Sequence, residues 1–427
     1  MAMNILLCNT SERTGGAAIA ARRLAVALRA AGADARMWVR DRAAYADGLP
    51  VLTPRAGRMA LRARFIAERL GVLLAGSGRR RLFEVDTATH GVDLTHEPCY
   101  AEADVVHLHW VNQGLLSLRG LERVLQGGKP VVWTLHDMWP LTGICHHAGD
   151  CDGWLHGCGH CPLLRLRRGA GDASARCFQR KRRVYDAGRI HFVACSDWLA
   201  DLARRAPLLQ GHVVHSIPNA IDTDFYSPAD RTAARRKLGL PEQGDLLLFV
   251  AYKATDKNKG VDYLRQAVRQ LAATDETLQR TLQVVIVGRE ATTLRYSFAV
   301  KAHTREYVSD EATMRDFYRA ATLLCMPTLQ DNLPNTIVEA MSCGTPTVGF
   351  RVGGLPQLIE HGENGYLATY KDASDFAHGL AHCLEPVVRQ HMAEFGRERA
   401  VTMFSEPAVA ATYMKVYETA MWEKGSN

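Results

Sequence analysis

No apolar run in this chain of 427 residues approaches the ~20 that a membrane-crossing helix requires. The first residues, MAMNILLCNTSER, lack a basic stretch before the apolar run and a small-residue cleavage site after it. They read as a first strand rather than a signal peptide, and the expected compartment is the cytoplasm. A glycine pair, Gly15 and Gly16, follows that strand, but no third glycine stands at the spacing of a dinucleotide fingerprint. Arg36 and Arg40 occupy the region where such an enzyme places its ribose-binding acid, which disfavours an NAD enzyme. Neither sign of charge dominates. The 52 basic and 45 acidic side chains leave +7, which mildly favours an anionic partner: a phosphate, a lipid headgroup or a nucleic acid.

What is present is ordinary in bulk, with 47% apolar and 23% charged residues, and long enough for two domains with full cores. Eleven cysteines in a reducing compartment are expected to be thiols or metal ligands, not disulfides. Four of them, Cys145, Cys151, Cys158 and Cys161, follow C-x5-C-x6-C-x2-C with His146, His147, His156 and His160 interleaved. That spacing points to a closed, thiolate-rich zinc knuckle with a structural role, in which His160 or His147 could replace one sulfur. Four unligated cysteines are the alternative.

Taken in order, Asn4 to Cys8 is a strand, and the glycine pair opens an Ala-rich helix closed by Gly32, the first unit of a doubly wound sheet. Arg36 to Arg40 is the second strand. Residues 55–81 form an arginine-rich amphipathic segment with Met59, Leu61, Phe65, Ile66, Leu70, Leu73 and Leu74. It either lies on an anionic membrane surface or turns its apolar side to the sheet. Strands over Ala103 to Val111 and Pro130 to Leu135 end in polar residues, where open parallel sheets collect ligands. His109, Trp110, Asn112, His136, Asp137 and Trp139 are therefore expected at the ligand-facing edge; His107 reads as a satisfied core histidine and His109 stays open between the two. A basic stretch from Arg165 to Arg189 is expected to be a solvated helix face. The alternation of strand and helix restarts near Asp222 and continues through Asp245 to Ala251 and Gln283 to Gly288.

The most informative stretch is Gln330 to Phe350, QDNLPNTIVEAMSCGTPTVGF. Pro334 suits the approach to a helix, Asn335 or Thr336 can cap its first turn, Gly344 suits the left-handed position after the last, and Pro346 forbids continuation. The start of a helix about two turns long offers N–H groups and a positive dipole end to a diphosphate. Glu339, one turn in, can accept from a ribose diol, and Asp331 ahead of the helix would face a sugar. The alternative is a solvated loop acid and a surface helix acid.

This block resembles the acid, seven residues, acid motif of the retaining glycosyltransferases of family 4, although that family usually has glutamate where Asp331 stands. The resemblance extends through Gly353-Gly354-Leu355-Pro356 and residues 362–367. It implies an α/β GT-B fold: two Rossmann-like doubly wound domains facing a cleft, over 1–221 and 222–402, with a last helix in 403–427 crossing back. It also implies donor contacts from Gly15, Gly16, Asn332, Leu333, Asn335, Thr336 and Glu339, an acceptor side at His109, Trp110, Asn112, Asp137 and Trp139, and a catalytic set of His136, Asp331, Lys253 and Lys259, with His136 at the donor sugar and the lysines facing the diphosphate. The Cys-rich segment TGICHHAGDCDGWLHGCGHCPLL resembles a polysaccharide-assembly subset of the colanic-acid galactosyltransferase type. The expectation is transfer of a hexose from a UDP- or GDP-sugar to a glycan acceptor, lipid-linked and met at the inner membrane face. No cofactor is expected for catalysis and no nucleic acid as partner. A zinc-knuckle nucleic-acid binder and a nucleotide-sugar-modifying enzyme on a Rossmann-like fold are the competing readings.

Overall fold

The computed structural model describes residues 2–44, 48–166 and 168–425, so Arg167 of the basic stretch lies outside the described residues. The chain divides into two compact units, Met1–Ala220 with Glu406–Asn427, and Ile221–Ser405.

The first unit is built on seven strands, β1 (Asn4–Ser11), β2 (Asp34–Asp41), β3 (Val51–Leu52), β4 (Val105–Leu108), β5 (Val131–Leu135), β6 (Ile190–Ala194) and β7 (Val213–Ser216). All pair in parallel, in the order β3-β2-β1-β4-β5-β6-β7. The central strands β4, β5 and β6 are buried at every residue, as expected where helices cover both faces of a parallel sheet. Side chains alternate between those faces. Leu6 and Cys8 join one core with Trp133 and Phe192, while Ile5 and Leu7 join another with helix α1 (Gly16–Ala30) and the C-terminal helix Glu406–Gly425. Tyr417 of that last helix places its hydroxyl 2.8 Å from His107 Nδ1, and Tyr413 places its own 2.9 Å from Thr134 Oγ1.

Helix α2 (Arg58–Leu74) departs from the expectation that residues 55–81 turn their apolar side to the sheet. Its inward face carries Leu61 and Val72 together with the charged pair Glu68 and Arg69, and its apolar residues Met59, Ile66, Leu70 and Leu74 are exposed. The charges are buried because they have partners. Glu68 accepts from the backbone N–H groups of Thr87, Thr89 and His90 and from both threonine hydroxyls, and Arg69 pairs with Asp86. The basic stretch also differs. Helix Ala173–Tyr185, capped by the Asp172 carboxylate, turns Lys181 fully inward instead of leaving it on the solvated face.

The second unit has β8 (Asp245–Lys253), β9 (Leu282–Arg289), β10 (Lys301–Arg305), β11 (Leu323–Met326), β12 (Thr347–Phe350) and β13 (Gly365–Ala368), parallel in the order β10-β9-β8-β11-β12-β13. The chain passes from β11 through a loop into helix Asn335–Ser342 and on to β12, so that loop sits at the carboxyl end of its strand.

Candidate active site

In the second unit the loop between β11 and helix Asn335–Ser342 brings two of the expected residues together. Lys259 Nζ lies 2.6 Å from Asp331 Oδ2, both partly buried. The pairing follows from how the two loops are tied. Asp256 caps the turn that carries Lys259, and the Asn258 carbonyl of that turn accepts from Leu329 N at 2.7 Å and from Thr328 Oγ1 at 3.2 Å. Gly353 (φ 56°) packs so closely that a Cβ there would fall 1.9 Å from the Asp331 carbonyl oxygen, so only glycine lets this loop pass.

Helix Asn335–Ser342 follows. Its N-cap is Pro334 and no side chain caps it, which corrects the capping role expected of Asn335 or Thr336; both lie inside the first turn. A proline at that position leaves cap satisfaction to something other than its own side chain. Gly344 closes the helix at φ 74°. Glu339 is 7% exposed, which rules out a surface acid, and its Oε2 accepts from the Tyr318 hydroxyl at 2.6 Å. Tyr318 sits on helix Glu311–Ala320, and Thr345 Oγ1 donates to its carbonyl at 2.7 Å. Asn332 and Leu333 are buried beside these residues. Lys253 is engaged elsewhere: its Nζ lies 2.9 Å from Glu290 Oε1, with both side chains about half exposed. The Thr255 hydroxyl and Lys253 hold the Glu290 carboxyl below its ordinary value.

In the first unit the ends of β4 and β5 carry a different arrangement. His109 Nδ1 lies 2.9 Å from His136 Nε2. Asp137 is a hub: its Oδ2 accepts from Trp110 Nε1 at 2.9 Å and lies 2.8 Å from His146 Nδ1, while Oδ1 accepts from Trp139 N at 2.8 Å. Burial alone would raise the Asp137 carboxyl, but His146 beside it prevails and brings it to about 2. Burial works the other way on the imidazoles. It pushes His107 down to about 3 and His136 to about 4, and pushes His109 well below the ordinary range with help from its two histidine neighbours. His109 Nε2, Asn112 Nδ2 and His146 Nε2 are buried without a hydrogen-bond partner. Such atoms mark where a polar guest gains most. Trp139, expected toward the acceptor, is instead a core residue at 2% exposure whose indole N–H donates to the Asp86 carbonyl at 2.8 Å. Its place beside Asp137 in sequence misled, because the chain turns at Trp139–Leu141 and drives the ring inward.

Gly15 and Gly16 open α1 at φ 92° for Gly15, both exposed, with free space where a Cβ would stand. At the same carboxyl edge, past β2, a cavity of about 780 Å³ is lined by Arg40, Arg42, Arg58, Arg62, Leu61 and Phe65 among others.

Residues 14–225 match the family described as Glycosyltransferase Family 4, and residues 244–386 match Glycosyl transferases group 1. D-inositol 3-phosphate glycosyltransferase 1 of Catenulispora acidiphila is 31% identical over 321 residues, 70% of this chain and 70% of that one. The chain belongs to the group 1, family 4 glycosyltransferases. The backbone of this glycosyltransferase is similar to that of sucrose-phosphate synthase from Thermosynechococcus elongatus, with TM-score 0.67 and 19% identity over 98% of both chains. It is also similar to Anabaena Alr3699/HepE, whose structure is a complex with UDP and glucose, with TM-score 0.61 and 16% identity over 98% of this chain and 100% of that one. These likenesses establish the GT-B fold, two Rossmann-like doubly wound units, for this glycosyltransferase. Its sequence did not signal four partners that the structure supplies: Tyr318 for Glu339, Glu290 for Lys253, His146 for Asp137 and Asp86 for Arg69.

Proposed function

We propose that this glycosyltransferase moves a hexose, with retention, from a UDP- or GDP-sugar to a glycan acceptor carried on a lipid phosphate. The observation that carries the reading is the Lys259–Asp331 pair at 2.6 Å beside the start of helix Asn335–Ser342, with Glu339 one turn further in. Lys259 and the helix start would meet the diphosphate, with Asn335 and Thr336 in the first turn; Glu339 would take the ribose and Asp331 the sugar hydroxyls. Lys253 would join Lys259 once drawn from Glu290. The resemblance gives His136 the role of orienting the sugar. The bond from sugar C1 to the phosphate oxygen breaks, the acceptor oxygen bonds C1 on the same face, and the acceptor proton passes to the departing phosphate oxygen. An ammonium held against that oxygen stabilises charge as it grows. No cofactor enters these steps.

The acceptor reading draws on the arginine-lined cavity at β2 and α2, whose charge suits a phosphate-bearing molecule. The exposed stripe of Met59, Ile66, Leu70 and Leu74 beside Arg58 and Arg62 suits peripheral contact with an anionic bilayer; among the described residues no helix is long and apolar enough to cross one. A second acceptor, a phosphorylated polyol, is favoured by the relative's name, D-inositol 3-phosphate glycosyltransferase. Thermal shift with UDP-sugars, GDP-sugars, NAD and an oligonucleotide is the first test. Stabilisation by one nucleotide-sugar, followed by product formation with a lipid-linked glycan and not with inositol phosphate, supports the main reading. Product with inositol phosphate alone supports the second. Stabilisation only by NAD or the oligonucleotide refutes both.

A further inference from the structure

The Cys-rich loop of the first unit takes no part in the chemistry above. Cys145, Cys151, Cys158 and Cys161 line one small cavity of about 20 Å³, room for a single ion or water, shared with Trp154, Gly153 and Gly159. None of the interleaved histidines lines it, and His146 is committed to Asp137. The backbone N–H of Gly143 donates to Cys158 Sγ at 3.3 Å, the kind of contact that supports a metal-bound thiolate. The loop reaches this arrangement through left-handed backbone at two non-glycine residues, Cys158 (φ 61°) and His160 (φ 47°). A conformation that unfavourable persists where something else holds the loop.

A second observation is independent of the thiols. Lys181 is fully buried in the helix Ala173–Tyr185 behind the loop. Its ammonium donates to the carbonyls of Trp139 at 2.5 Å and Thr142 at 2.9 Å and lies 3.4 Å from the centre of the Trp139 ring. Among the described residues no carboxylate stands at salt-bridge distance from it; Cys177, Cys145, Cys158 and the Asp137 carboxylate lie within its electrostatic reach. A buried ammonium favours negative charge around it, and thiolates at Cys145 and Cys158 would add to the more distant charge of Asp137.

We propose that Cys145, Cys151, Cys158 and Cys161 bind one structural zinc ion, with Lys181 as the cation that offsets its charge. Four thiols lose their protons to solvent as four Zn–S bonds form, and the resulting centre carries two negative charges, one of which Lys181 balances. Among the described residues no three potential ligands stand in a ligating arrangement. The step the proposal adds is rotation of the four side chains onto one ion. The consequence is local: Thr142 Oγ1 donates to the Cys145 carbonyl at 2.6 Å and Met138 N to the His146 carbonyl at 2.9 Å, so fixing the loop fixes Asp137 and His146.

The test is elemental analysis of the full chain purified under reducing conditions, with cobalt substitution as the spectroscopic check. The expected result is one zinc per chain, and thiolate charge-transfer with tetrahedral d–d bands once cobalt replaces it. Cys158→Ser and Cys161→Ser should lose the metal while Cys99→Ser and Cys383→Ser keep it, and Lys181→Met should surrender zinc to a chelator about tenfold more readily. Wild-type protein free of metal, with these four thiols reacting at once with a disulfide reagent or found as disulfides by mass spectrometry, overturns the proposal. So does zinc retained when all four are serine. The wild-type measurement decides even if the serine variants fail to fold.

Discussion

In Ile221–Ser405 the carboxyl edge of the sheet carries charges that are paired but reachable, Lys259 with Asp331 and Lys253 with Glu290. At the corresponding edge of the first unit the polar groups are deeply held: burial keeps His107, His109 and His136 neutral, and the one carboxylate, Asp137, is tied to Trp110 Nε1 and His146 Nδ1. The contrast is chemical. An ammonium near solvent can exchange its carboxylate for a phosphate at little cost, since a part-exposed pair contributes at most ~1 kcal/mol. A neutral imidazole both donates and accepts, which suits hydroxyl groups and repels no cation. One edge is furnished for an anion, the other offers neutral imidazoles to a polar guest.

Removing the charge from the first of these edges should give the largest effect. Lys259→Ala is expected to lower kcat by on the order of 10² to 10³, the magnitude that loss of one transition-state charge contact carries. Its melting temperature should stay near wild type because the pair is part-exposed. Lys253→Ala should lose less, having Glu290 as its resting partner. Glu339→Gln keeps an acceptor for the Tyr318 hydroxyl and removes only the charge, so it should raise KM for the donor more than it destabilises. Glu339→Ala would remove the Tyr318–Glu339 hydrogen bond, at about 1 kcal/mol. Steady-state kinetics beside thermal melts separate these outcomes. A Lys259→Ala enzyme with wild-type kcat would erase the distinction between the two edges.

Acid should act on the other edge. A histidine whose folded pKa is depressed contributes full stability above its unfolded value, near 6.5, and that stability is lost as pH falls from there toward the folded value. For His107, at about 3, and His136, at about 4, the loss is about 2 kcal/mol each by pH 5. Melting followed from pH 7.5 to 5 should therefore fall steeply, and His107→Gln should flatten the curve. A melting temperature constant over that range would mean these imidazoles are protonated in the fold.

The two edges also differ in how far the sequence revealed them. The second was readable because its signals are local: Pro334, Gly344 and Pro346 punctuate a short helix, and Asp331 and Glu339 stand at a fixed spacing around its start. The strand and helix alternation of both units was readable for the same reason, since continuous apolar runs such as VVWTL report burial on both faces. The first edge hid more because its partners are distant in the chain. Trp139 turns into the core toward Asp86, 53 residues away, and α2 buries Glu68 because Thr87, Thr89 and His90 wait there to satisfy it. No periodicity encodes such a choice. An amphipathic pattern says that one face of α2 is apolar; which face meets the core was decided by hydrogen bonds that only the assembled unit provides.

The smallest expected effect sharpens the comparison from inside the first unit. His107 is saturated: Nε2 lies 2.8 Å from Thr134 Oγ1 and Nδ1 2.8 Å from the Tyr417 hydroxyl. Tyr417→Phe removes one of these bonds with little change of volume and leaves a buried ring nitrogen unpaired, a cost of about 1–3 kcal/mol. It touches nothing at the charged edge, so kcat and donor KM should be unchanged while the melting temperature falls. Tyr413→Phe, which frees Thr134 Oγ1 from one contact but leaves that hydroxyl its bond to His107, should cost less. If Tyr417→Phe lowered kcat as much as Lys259→Ala, the histidines would be linked to the chemistry through the C-terminal helix, and the neutral edge would have to be counted as part of the charged one.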